Sequence, residues 1–392
     1  MNMEKLRKKA IRRYLNGESP KEIYQSLGKG KTWFFKWLKR YKLDGANWAK
    51  EHSRKPHESP KKIDKETEQM VIATRKKLEN KLYAQIGALA IRYELTNRGI
   101  AAPPISTINK ILSRGQLIHQ KKRYVPKGVD YPSPTVTRSN DLHQLDVIGP
   151  RYLKRDGRFY SINVIDAYDR RVVVYPHRRK NSIAISGGLL YCWHTLGIPL
   201  FLQVDNFLPL RGSNRYPHSF GILIRLCLYL GIQPIFIPIR EPWRNGIIER
   251  FQYEFDRMFF RSQYFNDFRD LYEKSRFFEQ FHNQHHHYST LGGLTPYKKC
   301  TGNIRYLPEN FQLPEKLIIV PGYIHLIRFI RSNCFLDVFG ERFSMPKDVE
   351  YEYVWATIDT AKERLYVYHD HKLVVEYGYP LPKSSMLLPK ID

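Results

Sequence analysis

The chain has 392 residues, 42% of them hydrophobic and 14% aromatic, with a formal net charge of +27 and a pI near 9.8. That length and composition can bury real cores in two to four domains, and the charge points to a polyanionic partner. Four scattered cysteines with no Cys-x-x-Cys pair argue against a zinc knuckle or a disulfide framework, and a most apolar window broken by Arg225, Gln233 and two prolines excludes a membrane span.

The basic charge is concentrated at the front. Residues 1–140 hold 32 Lys+Arg against 12 Asp+Glu, residues 141–300 hold 22 against 14, and residues 301–392 hold 11 against 12. The first third is therefore the expected electrostatic grip on the polyanion. Residues 5–43 read as three short helices. Ser19 is placed to cap the middle one, with Pro20 in its first turn and Glu22 at the capping-box position. A Gly28-Lys29-Gly30 turn leads into a basic helix. There Phe34 with Leu38 and Trp37 with Tyr41 can pack inward, while Lys31, Thr32, Lys36 and Arg40 can face outward. Helix, glycine turn and basic helix make a helix-turn-helix layout for the DNA major groove; an ordinary bundle with a solvated basic face is the plainer alternative.

Residues 44–63 read as a polar linker, which closes a first domain at 1–63. A second helical unit spans Asp64 to about Leu117. Ser106 is placed to cap its last helix, and Ser106, Thr107, Asn109 and Lys110 are positioned for DNA contact. Residues 118–140, with Lys121-Lys122-Arg123 and three prolines, read as a basic tether, so this domain is 64–140. From 141 to about 265 three strands in a meander are followed by alternating helices and strands, which suggests a mixed sheet covered by helices. Residues 301–392 turn β-rich and suggest a small barrel. The fold class expected is multidomain α+β: helix-turn-helix units, an α/β core with a mixed sheet over 141–300, and a C-terminal small β-barrel.

Three carboxylates stand out. Asp146 interrupts the apolar stretch 143–148, Asp205 ends the stretch 200–205, and Glu249 lies where a turn runs into a helix. An unpaired charge inside an apolar strand is costly, so these aspartates need a reason to be there. Two strand-end aspartates and a helical glutamate supply the hard anionic oxygens that two Mg²⁺ or Mn²⁺ ions require. In a basic chain the anionic substrate is then a nucleic-acid phosphodiester, and no Ser or Tyr motif calls for a covalent intermediate.

The segments Asp146-Val147, Val204-Asp205-Asn206 and Pro242-x-x-Asn245-Gly246-x-x-Glu249-Arg250 resemble the integrase-core transposases of bacterial insertion sequences, relatives of retroviral integrases with an RNase H-like catalytic fold. The segment from Phe281 to Pro296 is similar to that family's conserved tail. The resemblance covers roughly residues 5–300 and implies that Asp146, Asp205 and Glu249 are the catalytic, metal-binding triad. It further implies two divalent ions, cleavage and strand transfer at terminal inverted repeats, target DNA as second substrate, and a homodimer or larger assembly on DNA. A bacterial cytoplasmic protein associated with the nucleoid is expected, with no membrane partner. The chain departs from the family at Phe207, where glycine is usual, and in the Asp205–Glu249 spacing of 44, which is longer than usual. The excess is expected in 208–219.

Other residues compete for roles. Asp166 is the rival ligand, although the resemblance implies a structural place at a strand turn. His282, His285, His286 and His287 look like a metal site, but neighbouring histidines on one helix cannot all face one ion. Trp243, Arg244 and Asn245 precede the glutamate helix, near where the scissile phosphate is expected. Arg250 and Arg257 follow along it, able to contact phosphates or to pair with surface acids. Two other functions remain open on sequence alone: a domesticated DNA-binding regulator, and an RNase H-like nuclease that cuts without joining.

Overall fold

In the computed structural model, described over residues 3–51, 63–118, 129–212, 218–383 and 386–387, the chain divides into compact units at 1–64 and 65–392. The first unit holds α1 (Met3–Leu15), α2 (Pro20–Ser26) and α3 (Lys31–Leu43). Ser19 caps α2 as expected, accepting from the Glu22 N–H at 3.4 Å. Ala10, Ile11, Ile23, Phe34 and Leu38 form the small core. Trp37 is buried, flanked by the guanidinium groups of Arg7 at 3.8 Å and Arg40 at 4.7 Å from its ring centroid. Tyr41 stays exposed and packs edge-on against Trp48 at 5.2 Å. The expected linker therefore begins later than residue 44. Residues 45–47 make a 3₁₀ turn, Ala49 is buried, and Arg7 donates to the Ala49 carbonyl at 2.8 Å. Residues 52–62 lie outside the described residues, as does the stretch 119–128 of the basic tether.

The second unit opens with three helices, α4 (Lys65–Glu79), α5 (Ala88–Asn97) and α6 (Ile105–Arg114), which bury Val71, Leu78, Ile91, Leu95, Ile108, Ile111 and Leu112. Helix α6 starts two residues earlier than it would with Ser106 as its cap. Pro104 occupies the cap and Ser106 sits exposed in the first turn, because proline's fixed φ sets the helix entry without a side-chain acceptor.

A meander follows: β1 (Leu142–Leu153), β2 (Gly157–Asp166) and β3 (Val172–His177), then α7 (Ser182–Thr195), β4 (Phe201–Val204), α8 (Leu208–Arg211), α9 (Ile222–Tyr229) and β5 (Gln233–Phe236). The strands pair antiparallel in β1–β2–β3 and parallel in β1–β4–β5, the mixed sheet of an RNase H-like core. The sheet is covered on both faces, as its alternation demands. Leu145, Ile162, Val164 and Val173 pack with α7 and α9 residues such as Leu189 and Leu223. Ile165, Val172 and Val174 pack on the opposite side with Ile248, Phe251 and Phe255 of α10 (Gly246–Phe255) and with Phe278 of α11 (Phe268–His285). Gly188 lets α7 seat closely, since a Cβ there would lie 3.1 Å from both the Ile162 and Tyr175 side chains.

After α12 (Pro296–Lys299) the chain is β-rich as expected: β6 (Lys316–Leu317), β7 (Tyr323–Phe329), β8 (Phe335–Val338), β9 (Glu341–Ser344), β10 (Tyr353–Asp359), β11 (Arg364–His369), β12 (Lys372–Gly378) and β13 (Met386–Leu387). The expected separate barrel does not form among the described residues. Instead β7 pairs in parallel with β5, Ile235 level with His325, and β10, β11 and β12 continue outward. The result is one nine-stranded sheet in the order β12-β11-β10-β7-β5-β4-β1-β2-β3. The physical reason is the free edge of β5: its unpaired N–H and C=O groups are satisfied by β7, and Leu326, Val354, Ala356 and Leu365 join the core of the central strands. A boundary at 301 therefore does not separate two packed bodies.

Asp166 ends β2 and is 1% exposed. It accepts backbone N–H groups from Asn140 at 2.6 Å, Tyr168 at 2.7 Å and Asp169 at 2.9 Å, and faces His143 Nε2 at 3.6 Å. With its oxygens filled by the turn, it is placed as a structural acid. Burial alone would raise its pKa, but the His143 contact and the backbone donors outweigh that and hold it below the ordinary carboxylate value.

The shared sheet and the buried acid can each be tested by unfolding. Leu326→Ala, in a fully buried position, should cost about 2–5 kcal/mol, and urea unfolding of the 65–392 unit should show one transition in which the C-terminal strands melt with the core. A separate, earlier transition of those strands would contradict the shared sheet. For Asp166, a depressed folded pKa gives stability that is present above the unfolded value and lost as pH falls through the folded one. Asp166→Asn should therefore lower the urea midpoint at about pH 7, with the gap to wild type closing below about pH 4. A gap unchanged in acid would show that a depressed carboxylate is not the source of the stability.

Candidate active site

Of the three sequence-derived carboxylates, Asp205 and Glu249 each lie near Asp146. Parallel pairing sets Gln144 level with Gln203; two residues further on lie Asp146 in β1 and Asp205 just past the end of β4, near enough for the charge of Asp146 to act on Asp205. Alternation by two also places Gln144 and Asp146 of β1, with Gln203 and Asp205, on the sheet face that carries α10. The hydrogen bonds agree with that face. Gln144 Oε1 accepts the Ile248 N–H at 3.1 Å, and Gln203 Nε2 donates to the Arg244 carbonyl and to Asn245 Oδ1, both at 3.1 Å. Asn245 Nδ2 donates to the Leu145 carbonyl at 3.0 Å, and Gln252 Nε2 donates to Asp146 Oδ2 at 2.6 Å. Glu249 and Gln252 are three apart and share a helix face.

All three acids are half-buried. Burial raises the pKa of Asp146, against N–H bonds from Val147 and Gln252. Burial likewise raises Asp205 and Glu249, and the charge of Asp146 raises each of them further. Asp146 is thus the central member, close enough to act on both others. Three hard oxygen donors whose charges oppose one another form a donor set that a divalent cation relieves. The side chains are turned to local partners, however: Asp146 to Gln252 and its neighbour's N–H at 2.7 Å, Asp205 to the Phe207 N–H at 3.0 Å. As they stand, no three His, Cys, Asp or Glu side chains among the described residues are gathered closely enough to hold a metal ion.

The two departures from the family pattern have structural accounts. Phe207 has φ −60° and ψ 133°, open to any residue, so no glycine is needed; its ring lies 5.1 Å from Lys180 Nζ. The longer Asp205–Glu249 spacing includes α8 and a close glycine contact. Gly212, at φ 93°, meets Gly221 so tightly that a Cβ on it would lie 2.6 Å from the Gly221 nitrogen. Residues 213–217 lie outside the described residues.

The expected DNA contacts divide. Lys31, Thr32 and Lys36 are exposed on α3, but Arg40 is half-buried against Trp37 and donates to the Lys50 carbonyl at 3.3 Å. Ser106, Asn109 and Lys110 are exposed on α6 and Thr107 is half-buried. Trp243 is 60% exposed beside the site. Arg244 is not a free cation. It pairs with Glu241 at 3.0 Å, donates to the Tyr353 hydroxyl at 2.9 Å and lies 3.9 Å from the Tyr131 ring centroid. Asn245 is 4% exposed and spends its amide on Gln203 and Leu145, so it holds the helix rather than facing a ligand. Arg250 is exposed but paired with Glu254 at 3.2 Å, and Arg257 is exposed.

The histidines do not converge. His282 is buried, and burial followed by the nearby His286 keeps it well below its usual pKa. His286 faces Glu254 at 3.1 Å and Gln85 at 2.7 Å; His287 Nδ1 meets the Gly293 carbonyl at 2.7 Å; His285 is exposed. Sequence reasoning missed Gln144, Gln203 and Gln252. The signal for the first two was available, as amides two residues ahead of each aspartate on the same strand face.

The family described as winged helix-turn helix matches residues 7–69, and the family described as integrase core domain matches residues 230–296, the stretch that carries Glu249. Among solved structures, the HTLV-2 integrase catalytic core domain in complex with magnesium, in its dimeric form, is 17% identical over 41% of this chain and 97% of that one, with a TM-score of 0.31. The simian T-cell lymphotropic virus intasome in complex with the PP2A regulatory subunit B56 gamma is 14% identical over 76% and 96%, with a TM-score of 0.35. No helix among the described residues is long and apolar enough to cross a membrane. The chain thus places a winged helix-turn-helix match ahead of an integrase-core match.

Proposed function

We propose that this protein is a DNA transposase that binds the terminal inverted repeats of its element, cleaves their 3′ ends and joins them to target DNA. The observation that carries this reading is that Asp205, just past β4, and Glu249 on α10 both lie near enough to Asp146 of β1 to feel its charge. Asp146, Asp205 and Glu249 are the residues that would hold two Mg²⁺ or Mn²⁺ ions, which when bound supply charge neutralisation and activation of the attacking oxygen.

In the first step a water oxygen attacks phosphorus at the element end and the P–O3′ bond breaks, which leaves a 3′-hydroxyl. In the second that hydroxyl attacks a target phosphodiester, one P–O bond forms as another breaks, and the number of phosphodiesters is conserved. Neither step needs a protein nucleophile. The chain's own contribution is positioning: Gln144, Gln203, Asn245 and Gln252 hold the glutamate helix over the strand ends. Lys31, Thr32 and Lys36 on α3 present the exposed face for the repeats, with Ser106, Asn109 and Lys110 on α6 as a second such face. Joining two ends in concert implies a dimer or larger assembly on DNA, in a bacterial cytoplasm beside the nucleoid.

The test is a strand-transfer assay with the element's own end sequences and Mg²⁺ or Mn²⁺. Wild type should give joined products, while Asp146→Asn and Glu249→Gln should bind the ends and lose product by at least about a hundredfold. Binding without cutting by wild type would make the protein a DNA-binding regulator, and cutting without joining would make it a nuclease. Lys31→Glu with Lys36→Glu should weaken end binding and flatten its dependence on salt, by about one unit of log–log slope for every phosphate no longer neutralised.

A further inference from the structure

Two loops carry the site: Asp205-Asn206 after β4, and Glu241–Asn245 before α10. Each is fastened by a C-terminal strand more than 100 residues away. Arg328 of β7 is 5% exposed. Its guanidinium donates to the carbonyls of Ile237 and Ile327, both at 2.9 Å, of Asp337 at 3.0 Å and of Phe236 at 3.3 Å. Its remaining N–H reaches forward to Asn206 Oδ1 at 2.7 Å, and Asn206 Nδ2 in turn donates to the Ile237 carbonyl at 2.6 Å. Burial lowers the Arg328 pKa to about 10, so it stays a cation at neutral pH.

The second loop is held in the same manner. The Tyr353 hydroxyl of β10 lies 2.7 and 2.8 Å from the two carboxylate oxygens of Glu241, and accepts from Arg244 at 2.9 Å. Arg244 closes the triangle by donating to Glu241 at 3.0 Å.

We infer that Arg328 and Tyr353 are positioning residues of the active site: the C-terminal strands fasten the Asp205 and Glu249 loops and so set how readily the three carboxylates close on a divalent cation. The inference rests on the polynucleotidyl-transfer reading for its purpose, and on the hydrogen bonds for its geometry. A ligand-bearing loop is only as well placed as the groups behind it, and misplacement by about half an ångström is enough to weaken a site. The Arg328–Asn206 bond is charge-assisted and buried, the kind that fixes a side-chain orientation rather than merely adding stability. Tyr353 acts one step further back, through the Glu241–Arg244 pair that precedes the amide-bracketed turn into α10.

The experiment uses the full-length protein and four variants: Asn206→Ala, Arg328→Met, Arg328→Lys and Tyr353→Phe. Free Mn²⁺ is read by electron paramagnetic resonance as a direct binding measure, beside strand transfer against Mn²⁺ concentration, end binding without metal, and the melting temperature. Asn206→Ala cuts the link to Arg328 while leaving the guanidinium's backbone bonds, so it tests the idea even where Arg328→Met does not fold. Asn206→Ala and Tyr353→Phe should weaken Mn²⁺ binding about tenfold, leave end binding unchanged, and regain joined product at high Mn²⁺. Arg328→Lys should fall between wild type and Arg328→Met, and Asn206→Ala added to Arg328→Met should shift Mn²⁺ affinity no further. Wild-type Mn²⁺ affinity in both Asn206→Ala and Tyr353→Phe would overturn the inference. A wild type that binds Mn²⁺ but processes no DNA would instead sink the transposase reading, and the Mn²⁺ titration alone would then decide the positioning role.

Discussion

Parallel pairing of β1 with β4 in a single register is the constraint on which the site depends. Leu202 and Val204 are fully buried on the face toward α7 and α9, as is Leu145 of β1 at 1% exposure. Because side chains alternate with period two, those apolar residues fix where Gln203 and Asp205 point. A one-residue slip would drive Asp205 into the apolar layer and expose Val204. An unpaired carboxylate there would cost several kcal/mol, more than any single interaction at the site could return. The carboxylates are therefore placed by the hydrophobic core, and the nearness of Asp146 to Asp205 is a consequence of its packing.

The glutamate helix is seated by a different balance. Ile248, Phe251 and Phe255 are buried against the sheet, and such side chains contribute about 2 kcal/mol each. The amide hydrogen bonds from Gln144, Gln203, Asn245 and Gln252 contribute about 1 kcal/mol apiece. Apolar burial thus decides that α10 lies on the sheet. It does so with little directional preference, since a greasy face tolerates rotation and sliding. The amides supply the direction, and leaving any of them unpaired in a buried position would be penalised. This division explains why polar side chains sit beneath a helix that the apolar residues alone would retain.

Much of this arrangement was legible in the sequence because charge inside an apolar strand is a strong signal. Asp146, Asp205 and Glu249 stood out, and so did the meander, the α3 face and the cap at Ser19. Asp166 was separable from the ligands only by resemblance; the structure supplies the physical reason, three backbone N–H groups on its two oxygens. Other features depended on partners far along the chain. Nothing local to Arg328 or Tyr353 tells that they face Asn206 and Glu241, and nothing in the C-terminal strands tells that β7 completes the edge of β5. Alternation reads as a strand whether it closes a barrel or extends a sheet. That Arg244 and Asn245 already have protein partners was illegible for a related reason, since an arginine in a turn looks the same whether it is free or locked between Tyr131 and Tyr353.

The distribution of charge then fits the proposed chemistry without any part doing two jobs. Long-range attraction for DNA comes from the first 140 residues, which carry most of the excess Lys and Arg. That attraction is screened beyond about 10 Å in ordinary salt. The sign of charge at the site itself is set by three acids whose pKa values are raised by burial, with the charge of Asp146 raising the other two further. Nearby cations are largely committed: Arg328 lies behind Asn206, Arg244 is paired with Glu241, and Arg250 with Glu254. A phosphodiester approaching Asp146 would therefore meet net repulsion at short range, however strongly the rest of the chain draws it in. On the transposase reading, the carboxylates themselves must recruit the compensating charge, so the rigidity of their loops matters more than the number of lysines around them. The near-neutral C-terminal strands, which contribute little to the basic grip, are well suited to that role.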